Sequence, residues 1–185
     1  MLDDADIPAR QDSSPDTLRY FPAALAEEIR TEIRSTSIPA MQTPRTADFA
    51  ITGQCNLKCK TCYYADEMVA LSNMPLEKLI QAIDELGAMN VMTVTLTGGE
   101  PMMHKGIYQI IEAVVRNRMR FSMNSNGMLF NPENAKFIKD TNRCNGIQIS
   151  IDGSCPEVHD QIRGKGSFKK AVRGIKVLQE AGLNV

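Results

Sequence analysis

The sequence predicts an α/β protein built on parallel strands, and three observations carry that expectation. From residue 48 onward, short segments with apolar residues at every second position alternate with longer ones whose apolar residues recur at helical spacing. Prolines and glycines punctuate the changes of period: Pro75 and Pro132 stand where helices start, Gly87 and Gly182 where they stop. The resulting order, β-α-β-α-β-α-β-α, brings each strand back parallel to the last through a right-handed crossover, in a barrel or an open sheet.

Taken in order, residues 1–20 hold five Asp and two Arg with few large apolar groups, the composition of a flexible acidic arm. Residues 21–47 form a helix and linker: Leu25, Ile29 and Ile33 recur every fourth position among charged residues, and Pro39 and Pro44 follow. The core domain spans 48–185. Its strands are read at 48–52, 92–97, 119–124 and 147–152. Helical spacing joins Leu76, Leu79, Ile80 and Ile83, then Ile107, Ile110, Ile111, Val114 and Val115, then Phe168, Ala171, Val172, Ile175 and Leu178. Gly182-Leu183-Asn184-Val185 reads as a helix stop and the opening of a fifth strand, so the core is expected to be incomplete, a fragment of a longer protein.

The alternation also separates two faces. If Phe49, Ile51, Val94, Leu96, Phe121, Met123, Ile147, Ile149 and Ile151 face helices, together with Met92 and Met119, the other face carries Thr93, Thr95, Thr97, Ser122, Asn124, Gln148, Ser150 and Asp152. A parallel sheet covered on both sides reads as continuous apolar runs, and a closed barrel fills its lumen with branched apolar side chains. A polar inner face is instead built to meet water or a polar ligand.

Composition narrows the function classes. The 185 residues are 43% hydrophobic and 23% charged, a globular average that excludes wholesale disorder and a disulfide-stapled miniprotein. A net charge of −1 offers no overall field for nucleic acid or an acidic membrane surface. No apolar run approaches the roughly 20 residues of a membrane span, and the first residues are acidic where a secretory signal is basic, so a cytoplasmic location is expected.

Three of the five cysteines fall in Cys55-Asn56-Leu57-Lys58-Cys59-Lys60-Thr61-Cys62, directly after the first strand. Such spacing suits metal ligation better than disulfides. A four-iron cluster held by three thiolates keeps one iron open to a small molecule. A zinc site completed by Cys144, Cys155 or another segment is the alternative, and it would make the chain a zinc-stabilised binding module. Three further polar signals end the later strands: Thr97-Gly98-Gly99-Glu100-Pro101, Asn124-Ser125-Asn126-Gly127 and Ser150-Ile151-Asp152-Gly153. The carboxyl ends of parallel strands form the active-site rim of such folds. The two glycines are expected to let a ligand approach the backbone.

In this order after successive strands, the cysteine motif, the Gly-Gly-Glu-Pro turn and the Ser-Ile-Asp-Gly strand end resemble the radical S-adenosylmethionine (radical SAM) enzymes. The resemblance implies a partial (β/α)6 barrel, with about four β/α units present here. It implies a [4Fe-4S] cluster held by Cys55, Cys59 and Cys62, and S-adenosylmethionine chelated to the open iron. Gly98, Gly99 and Glu100 would contact the methionine amino group, Asn126, Ser150 and Asp152 would lie along the ribose and carboxylate side, and Arg163 would reach the carboxylate. Reductive cleavage would give a 5′-deoxyadenosyl radical that abstracts hydrogen from substrate, with flavodoxin, ferredoxin or a similar donor supplying the electron. The segment His159-Asp160-Gln161-Ile162-Arg163-Gly164-Lys165-Gly166-Ser167-Phe168 resembles the loop and helix start of peptide- and protein-modifying members with a C-terminal SPASM extension. A peptide or protein side chain is therefore the expected substrate, with heme or other cofactor biosynthesis as the alternative. Thr61, where an aromatic residue or His is frequent, and Tyr63 and Tyr64 after the last cysteine are modest departures from the family pattern.

The remaining candidates read as structure. Lys169, Arg173 and Lys176 lie opposite an apolar helix face and form a solvated surface rather than a nucleic-acid patch. His159 and Asp160 are expected to make a helix-start hydrogen bond rather than an acid/base pair, and Cys144 and Cys155 to be buried or incidental thiols.

Overall fold

A computed structural model describes residues 22–25, 27, 28, 31, 43–62 and 74–185. The acidic arm, Ile29, Ile33, Pro39, Tyr63 and Tyr64 lie outside the described residues. The chain divides into two compact units, Met1–Met41 and Gln42–Val185. In the first, residues 23–25, 27, 28 and 31 are helical and Leu25 is exposed.

The second unit follows the expected order. Strand β1 (Thr46–Thr52) leads to helix α1 (Leu76–Ala88), β2 (Thr93–Gly98), a 3-10 turn (Pro101–Met103), α2 (Ile107–Arg116), β3 (Arg120–Ser125), α3 (Pro132–Asp140), β4 (Cys144–Ile149), α4 (Pro156–Arg163) and α5 (Ser167–Glu180). The four strands form one parallel sheet in the order β1-β2-β3-β4. The architecture matches part of a β/α barrel. Among the described residues no helix is long and apolar enough to cross a membrane.

The alternation sorts the sheet's two faces as read. Val94, Leu96, Phe121, Met123 and Ile147 are buried with Leu79 and Ile83 of α1, Ile110, Ile111 and Val114 of α2, Ile138 of α3 and Leu178 of α5. Each fully buried side chain of this size contributes roughly 1.5–3 kcal/mol. On the opposite face Asp48, Thr95, Ser122, Asn124 and Gln148 border a cavity of about 580 Å³. The reading fails at the ends of strands: Met92 precedes β2 and is 55% exposed, and Ile151 follows β4 and is 39% exposed. Strand β4 spans Cys144–Ile149 rather than 147–152, so Ser150 and Asp152 sit on the connection after it.

Two further expectations are corrected. Gly87 does not stop a helix; it lies within α1, where an added Cβ would come 2.5 Å from Oδ1 of Asn117 at the end of α2. The first part of the segment 159–168, read as a loop leading into a helix start, is instead the end of helix α4, whose single buried residue, His159, is too little for an apolar pattern to register. Helix α3 begins at Pro132 as expected, through an unanticipated capping box in which Asn131 and Asn134 each accept the other's backbone N–H at 2.9 Å. Beyond α5, Gly182 adopts a left-handed φ of 73°, and Ile147 N–H donates to the Asn184 carbonyl at 2.9 Å on the free side of β4.

Candidate functional site

The carboxyl ends of all four strands meet one cavity of about 230 Å³. Cys55, Leu57, Cys59, Thr61 and Cys62 line it from the loop after β1, Thr97, Gly98 and Gly99 from β2, Asn124, Ser125 and Asn126 from β3, and Ser150 and Arg163 from the far side. All three motif cysteines therefore line one space, whereas Cys144 in β4 and Cys155 at the start of α4 do not. Among the described residues no group of three or more His, Cys, Asp or Glu converges as a site for a single metal ion requires.

The two glycines also make a close contact within the chain itself. Gly98 has a φ of 119°, and a Cβ on it would stand 2.3 Å from the Thr52 carbonyl oxygen. A Cβ on Gly99 would stand 2.2 Å from the Gln54 carbonyl oxygen. An added Cβ on either glycine would meet the root of the cysteine loop, and both glycines also line the cavity. Gly99 N–H donates to Thr52 at 2.8 Å and Glu100 N–H to Gln54 at 2.7 Å, so the motif ties β2 to the start of that loop.

Glu100 is fully buried and does not line the cavity. Its Oε1 accepts from Ser125 Oγ at 2.8 Å and from Met102 N–H at 3.2 Å, and its Oε2 from Asn126 N–H at 2.8 Å. Burial pushes its carboxyl above the ordinary glutamate value, against the opposing pull of these donors. Asn126 in turn donates from Nδ2 to Asn56 Oδ1 at 2.7 Å, and that same nitrogen lies 4.0 Å from Cys55 Sγ. Asn124, Ser125 and Asn56 are further polar residues of the site: the first two stand in the polar end of the third strand and Asn56 inside the cysteine motif.

On the far side Arg163 Nε donates to Asp152 Oδ2 at 2.6 Å, an ion pair with side chains 18% and 29% exposed. Two residues expected to serve a ligand separately are thus each other's partners. His159 is buried and its Nδ1 accepts from Asp152 N–H at 3.2 Å, while its ring meets Phe168 edge-on. Burial raises the Cys55 and Cys59 thiols above their ordinary value. The Leu57 N–H opposes this at Cys55 and the Arg163 guanidinium at Cys59.

A thiol-lined cavity at the carboxyl rim of an open parallel sheet defines an α/β protein of the partial-barrel class. The chain belongs to the radical SAM superfamily, whose family model matches residues 49–185. It is 34% identical over 143 residues to the antilisterial bacteriocin subtilosin biosynthesis protein AlbA of Bacillus subtilis, across 77% of this chain and 32% of that protein. It is 31% identical to mycofactocin maturase MftC of Mycobacterium ulcerans (77% and 38%) and 34% identical to an AdoMet-dependent heme synthase of Oleidesulfovibrio alaskensis (78% and 40%). The chain thus spans about a third to two-fifths of these relatives. The fold matches Streptococcus suis SuiB bound to its precursor peptide SuiA with a TM-score of 0.68 at 16% identity, across 86% of this chain and 35% of that one. It also matches anSMEcpe with bound AdoMet, with a TM-score of 0.63 at 21% identity, across 75% and 41%.

Proposed function

We propose that the protein containing this chain is a cytoplasmic radical SAM enzyme that acts on a peptide or protein side chain. The observation that carries the reading is one cavity lined by three thiols with no fourth cysteine, beside polar strand ends and a guanidinium. That donor set fits a [4Fe-4S] cluster on Cys55, Cys59 and Cys62 with one iron free for S-adenosylmethionine. Held there, such a cluster would supply one-electron reduction for the cleavage of S-adenosylmethionine and so for hydrogen abstraction from substrate.

The chain's own residues bind and orient. Gly98 and Gly99 border the cavity, where backbone carbonyls accept from the methionine amino group, while Glu100 acts from behind by fixing Ser125 and Asn126. Asn126 and Ser150 offer hydrogen bonds to the ribose side. Arg163, steadied by Asp152 through Nε, keeps its terminal nitrogens for the carboxylate. Asn124 borders both this cavity and the polar one on the sheet's inner face, which gives substrate a route to the cofactor. A peptide substrate is supported by AlbA, MftC and the SuiB–SuiA complex, and a tetrapyrrole by the heme synthase relatives. A flavodoxin- or ferredoxin-type donor completes the scheme.

The test is electron paramagnetic resonance of the anaerobically reconstituted, dithionite-reduced protein. A reduced four-iron signal that shifts with S-adenosylmethionine is expected, and it should be lost in Cys55→Ala, Cys59→Ala and Cys62→Ala. A colourless protein holding one zinc and indifferent to S-adenosylmethionine overturns the reading.

A further inference from the structure

The pair His159-Asp160 finds no role in the cofactor cavity, yet Asp160 makes more polar contacts than its half-exposed position requires. Its Oδ2 accepts from Gly166 N–H at 2.6 Å, and its Oδ1 from Phe168 N–H at 2.9 Å and Ser167 Oγ at 3.1 Å. Helix α5 has a glycine, Gly166, at its N-cap, so the capping oxygen comes from the preceding helix. The intervening turn is not fixed by packing: Gly164 and Gly166 have φ of 110° and 79°, and a Cβ on either would meet nothing within 4 Å. Polar contacts to Asp160, with the Ser167 hydroxyl donating to the Gly164 carbonyl at 2.6 Å, close it.

The end of α4 that this turn secures also holds the cysteine loop. Lys60 N–H, between Cys59 and Cys62, donates to the Ile162 carbonyl at 2.9 Å. Among the described residues, no other backbone hydrogen bond reaches the span from Cys55 to Cys62 from outside it. The next residue after Ile162 is Arg163, which lines the cavity and pairs with Asp152.

We infer that Asp160 is a positioning residue for the cysteine loop: its carboxylate fastens the α4–α5 turn, and the last turn of α4 holds Lys60 and so the Cys59–Cys62 segment. The link to cluster assembly rests on the function proposed above; the mechanical coupling does not. The Phe168 and Gly166 amides hold the Asp160 carboxyl below the ordinary carboxylate range, as a working cap requires.

The experiment compares wild type, Asp160→Ala and Asp160→Asn as metal-free chains, by amide hydrogen exchange and by iodoacetamide alkylation read site by site. The alanine variant should speed Lys60 amide exchange by about fivefold to tenfold, the population change set by losing a cap. Cys59 should alkylate about threefold faster while Cys144, in strand β4, keeps its rate. The asparagine variant, which keeps one acceptor oxygen, should fall between. Faster exchange at Gly166 and Phe168 with Lys60 and Cys59 unchanged overturns the inference, since the carboxylate would then only cap α5. If the alanine variant loses Cys144 protection as well, the asparagine variant decides: intermediate Lys60 exchange supports the coupling and a wild-type rate overturns it. Iron per chain after reconstitution is read separately; failure of wild type to take up iron removes the proposed function and leaves the coupling standing.

Discussion

The two walls of the cavity are built by different physics. The β1–β2 wall is held by backbone: carbonyls of Thr52 and Gln54 fill the space beside Gly98 and Gly99, and a fully buried Glu100 gathers three donors behind them. The α4 wall is held by charge, through Asp152 with Arg163 and Asp160 with the turn at Gly166, and these residues are partly exposed. Steric and buried polar constraints tolerate almost no change, whereas partly hydrated charge contacts adjust and are screened. The wall at the root of the cysteine loop is therefore stiff, and the wall beside Arg163 is adjustable.

The sharpest way to break this contrast is Gly99→Ala. The added methyl meets the Gln54 carbonyl, and a loss of about 3 kcal/mol or more in urea unfolding is expected, together with loss of reconstituted cluster. Wild-type stability in this variant would show that the wall yields. Next comes Glu100→Gln, which leaves one of the buried donors without a good acceptor and should cost about 2 kcal/mol by the same measurement.

A smaller effect is expected on the other wall. Arg163→Ala should weaken S-adenosylmethionine binding by about tenfold in calorimetry, while lowering unfolding stability by no more than about 1 kcal/mol. Added salt should weaken wild-type binding further toward the variant's level; a salt-independent affinity would place the cofactor's charge elsewhere.

The smallest effect is one of pH, and its sign differs between the walls. Asp160 has its folded pKa depressed, so its contribution is present above the ordinary carboxylate range and lost as pH falls through the folded value. Glu100 has its folded pKa raised, so its buried charge costs stability at neutral pH, and that cost lifts as pH falls toward the ordinary glutamate value. Site-resolved hydrogen exchange between neutral and acidic pH should therefore show Gly166 and Phe168 losing protection before Met102 and Asn126. The reverse order would contradict the assignment of the two walls.

Much of this was legible in residues alone. Period-2 alternation in 94–97 and 119–124 told which side chains enter the core, because a strand's side chains have no third direction, whereas Met92, before the strand, fell outside that rule. The C-x3-C-x2-C spacing and the polar strand ends brought the site's main residues to one rim, because parallel strands put their carboxyl ends on one side. Helix α4 escaped because a short helix that buries only His159 carries no apolar period.

Sequence by itself thus determined the layer order, the apolar face and the gathering of three thiols at one end of the sheet, all consequences of local periodicity and chain direction. Only the tertiary structure decided what each polar residue faces. Gly98 and Gly99 admit carbonyls of the chain itself, Glu100 turns inward to Ser125 and Asn126, Arg163 meets Asp152, and Asp160 caps a helix it does not belong to. A polar side chain here has several donors and acceptors within reach, and which of them it takes depends on neighbours the fold brings up, from 8 residues away for Asp160 and Phe168 to 70 for Asn126 and Asn56.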